Sequence, residues 1–70
     1  MTKDEFKIIR KKLGLTQGEL AELLYYQNKT VISNIERPDG RYPITFQTAV
    51  LMRIMEENGV EFYKRYAKED

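Results

Sequence analysis

An all-α bundle of four to five short helices is what this sequence predicts, and three observations carry that reading. Apolar residues recur at three- and four-residue intervals along most of the chain. Thr and Asn residues stand just ahead of those periodic runs, where helices begin. No run alternates convincingly enough to be a strand. Seventy residues make one domain, 1–70, near the lower limit at which a single core folds without staples.

The elements follow in order. Thr2 and Glu5 fit a capping box, after which Phe6, Ile9 and Leu13 form the first apolar stripe and Gly14 stops the helix. "TQGE" repeats the capping box with Thr16 and Glu19, and Leu20, Ala21, Leu23 and Leu24 supply the second stripe. "YYQN" is the break before a third helix, for which Asn28 is the N-cap and Val31, Ile32 and Ile35 the apolar positions. "RPDGRYP" is the clearest loop, with two Pro, one Gly and one Asp in seven residues. A fourth helix starts at about Thr45, with Phe46, Ala49, Val50 and Ile54 at helical spacing, and ends near Gly59. Val60, Phe62, Tyr63 and Tyr66 suit a short C-terminal helix, about 60–68.

Composition removes several function classes. The absence of Cys excludes disulfides and thiolate metal sites, and the absence of His removes the commonest general base and metal ligand. No constellation of acids is placed for catalysis, so an enzyme, a cofactor or a metal is not expected, and no small-molecule ligand is evident. No apolar run is long enough for a membrane span, and "MTKDEFK" lacks a signal-peptide h-region, so the expectation is a cytoplasmic protein. Net charge is only +1, but its distribution is uneven. Arg10, Lys11 and Lys12 form a basic cluster, no acid occurs between Leu23 and Ile35, and the last fifteen residues hold five acids.

The acid-free segment contains "NKTVISNIE". At about 100° per residue from Lys29, Ser33 falls at about 40°, Arg37 at about 80°, Thr30 at about 100° and Asn34 at about 140°. Val31, Ile35 and Ile32 occupy roughly 200–300°, and Glu36 lies beside them at about 340°. The polar arc thus holds cations, hydroxyls and an amide, the groups that donate to phosphates and pair with base edges in a major groove. Two short helices joined by a tight turn, about 16–37, form a helix-turn-helix.

"LTQGELAELL" followed by "NKTVISNIE" resembles the Cro-type, or XRE, helix-turn-helix regulators with the λ-repressor-like fold. The likeness runs from about Phe6 to Met55 and rests on an Arg late in helix 1, "LTQ", "LA", "IS-x-IE" and a Pro leading into helix 4. It implies that Lys29, Thr30 and Asn34 face base edges, with Ser33 there or on phosphate. Lys suits guanine O6/N7 and Asn suits adenine N6/N7. It implies phosphate contacts from Gln17 and Arg10, and a structural pair between Arg10 and Glu36. Arg37 and Arg41 in the following loop are phosphate candidates, against solvation as the bland alternative. The chain departs from the family pattern by one extra residue between "LA" and "IE" and by Tyr25 and Tyr26 where the turn commonly has Gly. Gln27 or Asn28 is therefore expected in the left-handed region. The two tyrosines either reach the DNA backbone or cap the core beneath the turn.

Met52 and Met55 lie partly outside the Phe46/Val50/Ile54 stripe, and Phe62, Tyr63 and Tyr66 crowd a short segment. These five residues are the expected interface of a homodimer, the alternative being that they complete the monomer core. A dimer would place two recognition helices in successive major grooves, about 34 Å apart. The expected function is a sequence-specific regulator of double-stranded DNA, a homodimeric repressor on an inverted repeat read by helix 3. Small members of this family are frequent among phage and mobile-element regulators, and "RPDGRYPITFQTAV" resembles the connection in anti-CRISPR-associated autorepressors. The alternative from another class is a protein–protein interaction module, antitoxin-like or an adaptor, on the same fold. RNA binding finds no aromatic stacking platform here.

Overall fold

The structure, a computed structural model, describes residues 1–40 and 42–67. Arg41, a candidate phosphate contact, and Lys68, the end of the expected C-terminal helix, lie outside the described residues. Within them the chain is all-α, with α1 at Lys3–Lys12, α2 at Gln17–Leu23, α3 at Lys29–Glu36, α4 at Phe46–Asn58 and α5 at Val60–Tyr66.

The helix starts are local chemistry. Thr2 and Thr16 each accept a bond from the N3 backbone N–H, and the cap N–H groups donate in return to the Glu5 and Glu19 carboxylates, giving two complete capping boxes. Asn28 caps α3 by accepting from the Thr30 N–H at 2.9 Å, and Thr45 caps α4 through the Thr48 N–H at 3.2 Å. Gly14, at φ +72°, ends α1 in a Schellman motif: Leu15 N–H donates to Arg10 O, and Gly14 N–H to Lys11 O.

The end of α2 repeats that motif without a glycine. Tyr26 N–H donates to Ala21 O at 2.9 Å and Tyr25 N–H to Glu22 O at 3.1 Å, so Tyr25 holds the left-handed position, at φ +60°. This corrects the expectation that Gln27 or Asn28 would do so; Asn28 is extended, at φ −162°. The reason is that the helix-ending hydrogen bonds choose the residue, and they fall on Tyr25 whatever its side chain. A left-handed backbone costs a bulky L-residue about 1–2 kcal/mol.

Phe6 and Ile9 of α1, Leu20 and Ala21 of α2, Ile32 and Ile35 of α3, Met52 and Met55 of α4, and Tyr63 of α5 make the buried core. Met52, Met55 and Tyr63 were candidates for a dimer interface; here they are interior, at 0%, 0% and 5% exposure. Conversely Phe46 and Val50, read as part of the inward stripe of α4, face outward, with Phe46 81% exposed. Helix α4 carries apolar residues around most of its circumference, so spacing alone does not choose its inner face. No helix among the described residues is long and apolar enough to cross a membrane.

Candidate nucleic-acid interface

Helices α2 and α3 and the turn between them carry the residues singled out above. Ile32 and Ile35 dock α3 into the core, so Lys29 and Thr30 are exposed, Ser33 and Asn34 are half-exposed, and Arg37 follows at the exposed C-cap. The first turn of α3 contains no acid. Gly18 of α2 lies next to the start of α3: a Cβ there would stand 4.0 Å from Lys29 Cβ, at ordinary contact distance. The start of α2 and the start of α3 therefore share one surface.

The single acid of α3, Glu36, is withdrawn from that surface. Its Oε2 accepts from Arg10 Nε at 2.6 Å, and its Oε1 accepts from Arg10 Nη2 at 3.0 Å. Gln17 Nε2 adds a third bond, to Oε1 at 3.1 Å. Arg10 also donates through Nη1 to Leu15 O at 2.9 Å, tying the α1–α2 corner to the same cluster. Arg10 and Glu36 are both buried, at 8% and 9% exposure. A bidentate, hydrogen-bonded pair is the geometry in which mutual attraction offsets desolvation. The site thus gains the positional benefit of the carboxylate without presenting its charge to a polyanion.

This placement revises the phosphate assignment of Arg10 and adds a partner for Gln17. Arg10 aims its guanidinium at Glu36 and Leu15 from a buried position, so a structural role fits it and a phosphate contact does not. Gln17 is half-buried and one of its two amide N–H groups donates to Glu36, which orients the side chain at the start of α2.

Past α3 the chain makes a tight turn in which Gly40 N–H donates to Arg37 O at 3.0 Å. Gly40 approaches α3 so closely that a Cβ would stand 2.5 Å from Asn34 O. Asn34, Arg37, Asp39, Gly40 and Tyr42 line an open notch of about 240 Å³ beside the outward face of α3. Asp39 Oδ1 lies 3.4 Å from Arg37 Nε, partly neutralising that cation on the surface. Lys3 of α1 reaches across to donate to Ile35 O at 3.0 Å and Tyr42 O at 3.4 Å. A cation on these carbonyls braces the C-terminal end of α3.

Compared with models of protein families, with curated proteins and with solved structures, the chain shows no match to any of them. The functional reading therefore rests on the geometry above.

Sequence reasoning missed Lys3 and the hydroxyls of Tyr25, Tyr26 and Tyr63. Tyr25 Oη donates to Ala67 O, Tyr63 Oη donates to Leu23 O at 2.7 Å, and Tyr26 Oη pairs with Thr48 Oγ1 at 2.7 Å. Each joins residues more than twenty positions apart, for which local spacing carries no signal. Among the described residues no group of acids is placed to hold a metal ion.

Elsewhere on the domain Leu51, Ile54, Phe62, Tyr63, Tyr66 and Ala67 line an open apolar groove of about 320 Å³ between α4 and α5. Phe62 and Tyr66 sit side by side there, with ring centroids 5.1 Å apart.

Proposed function

We propose that this chain is a sequence-specific double-stranded DNA-binding regulator of the Cro/XRE helix-turn-helix kind, a homodimeric cytoplasmic repressor that reads an inverted repeat with α3 in the major groove. The observation that carries the reading is the sorting of charge on α3. Its outward face bears Lys29, Thr30, Ser33 and Asn34, while its one acid is buried against Arg10. Lys29 and Asn34 are suited to purine edges, Thr30 and Ser33 to bases or phosphate, and Arg37 to phosphate. Repression follows by occupying a promoter, and small regulators of phage and mobile elements work on this scale.

A second copy fits the groove of α4 and α5. Exposed Phe62 and Tyr66, with Val50 and Phe46 beyond them, form an apolar surface that a two-fold partner would cover. The same surface favours a second reading, a protein–protein interaction module whose partner is a different chain.

Binding to the protein's own promoter-region DNA, against scrambled duplex at several salt concentrations, tests the proposal. The expected result is a steep salt slope and a preference of at least about 10³ for the cognate sequence. Equal binding to both duplexes at every salt concentration rejects it in favour of the interaction module.

A further inference from the structure

The turn between α2 and α3, residues 24–28, lacks glycine and places Tyr25 in the left-handed region at φ +60°. Bulky residues seldom adopt that conformation, so contacts beyond the helix-ending backbone hydrogen bonds are needed to offset its cost. Burial does not supply them, because Tyr25 is 59% exposed. In addition to its backbone hydrogen bonds, the turn has a set of hydroxyl tethers to the C-terminal half of the domain. Tyr25 Oη donates to Ala67 O, at the C-cap of α5. Tyr63 Oη, from α5, donates to Leu23 O at 2.7 Å and so satisfies a carbonyl left open at the end of α2. Tyr26 Oη pairs at 2.7 Å with Thr48 Oγ1, which in turn accepts from Thr45 Oγ1 at 3.0 Å at the start of α4.

Between α2 and α5 lies an open groove of about 400 Å³, lined by Leu15, Leu23, Val60 and Tyr63 among others. Beneath it Tyr63 packs into the core that Leu20 and Ala21 share, and at its edge the Tyr25 and Tyr63 hydroxyls cross from one helix to the other. We infer that Tyr25, Tyr26 and Tyr63 are positioning residues: through their hydroxyls α4 and α5 set the angle at which α3 presents its reading face. A glycine would adopt the left-handed conformation without help but would not by itself fix that angle. This turn takes its angle from helices 22 to 42 residues away in sequence. The consequence for DNA reading rests on the function proposed above, whereas the helix angle is a property of the chain itself.

The experiment compares the wild type with Tyr25→Phe, Tyr63→Phe and the double variant by two measurements. Residual dipolar couplings of the backbone amides give the direction of α3 relative to α1 without DNA. Titration with cognate and scrambled duplex gives affinity and preference. Tyr25→Phe keeps its ring at an exposed position, so its fold is preserved. Tyr25→Gly serves as a further variant, because it suits the left-handed backbone yet deletes the tether. The expected result is that α3 turns in the variants, Tyr25→Gly included, and that cognate preference falls about tenfold while scrambled-duplex affinity and salt slope stay put. An unchanged α3 direction in the single and double variants overturns the inference, as does a turned α3 with undiminished preference. If α3 turns but the wild type prefers neither duplex, the positioning role stands and the DNA-binding reading fails.

Discussion

Arg10 and Glu36, twenty-six residues apart, meet in a bidentate pair at 2.6 and 3.0 Å inside the domain. The pair joins the last turn of α1 to the last residue of α3, so the helix that carries the candidate reading face is anchored by charge at one end and by Asn28 at the other. Removing one partner leaves an uncompensated charge in a buried position. Glu36→Ala is expected to cost about 3–5 kcal/mol in urea unfolding. Replacing both, as Arg10→Met with Glu36→Leu, should cost less than Glu36→Ala alone. Equal losses would remove the charge-pair explanation.

Core and surface are distinguishable by the same assay joined to a mass measurement. Met52→Ala, at a fully buried position, should lose about 2–5 kcal/mol of stability. Phe62→Ser and Tyr66→Ser, at exposed positions, should stay within about 1 kcal/mol at a protein concentration where only monomer is present. On the proposed dimer, those two variants, and not a surface control such as Lys7→Ser, should shift the population from dimer to monomer in sedimentation equilibrium.

On the proposed DNA-binding function, variants at the notch beside α3 separate base reading from charge. Asn34→Ala should relax preference at one base pair and cost about 1–3 kcal/mol on the cognate duplex. Asp39→Asn frees Arg37 from its 3.4 Å partner, so all duplexes should bind more tightly and the salt slope should steepen slightly. Arg37→Ala should weaken all duplexes alike. Competition titrations at two salt concentrations measure all three.

The two capping boxes make the domain acid-sensitive. Backbone N–H groups of Thr2 and Thr16 hold the Glu5 and Glu19 carboxyls below the ordinary Glu value, with Arg53 assisting at Glu5 and the Thr16 hydroxyl at Glu19. A carboxylate depressed in the folded state adds stability above its unfolded pKa, and that stability is lost as pH falls through the folded value. Melting temperature should therefore drop below about pH 4, and the drop should be shallower in Glu19→Gln. At the other end, burial and then the nearby Tyr25 push the Tyr63 phenol up. Its neutral form is favoured in the folded state, so that contribution persists below about pH 10 and fades as pH rises through the folded value.

Gly40 is constrained by the approach of its backbone to Asn34 O, where a Cβ would stand at 2.5 Å. Gly40→Ala should destabilise the domain by about 1–3 kcal/mol and displace the Arg37 turn. Thermal unfolding and the chemical shifts of the Asn34 and Arg37 amides report the two effects.

Much of this protein was legible in its sequence because the determining interactions are short in range. Capping boxes at Thr2/Glu5 and Thr16/Glu19, the Asn28 cap and the Gly14 stop each act within a few residues, and all are present. The outward face of α3 was equally readable, because Ile32 and Ile35 leave one choice of inner side. Tertiary structure decided what no local pattern could. It chose Met52 and Met55 over Phe46 and Val50 as the inner face of α4, since an apolar-all-round helix is oriented by its neighbours. It drew Gln17 and Arg10 onto Glu36, and it brought Lys3 to the end of α3. It also placed the left-handed backbone on Tyr25 and tied that residue to Ala67, because hydrogen bonds between distant segments exist only once those segments have packed.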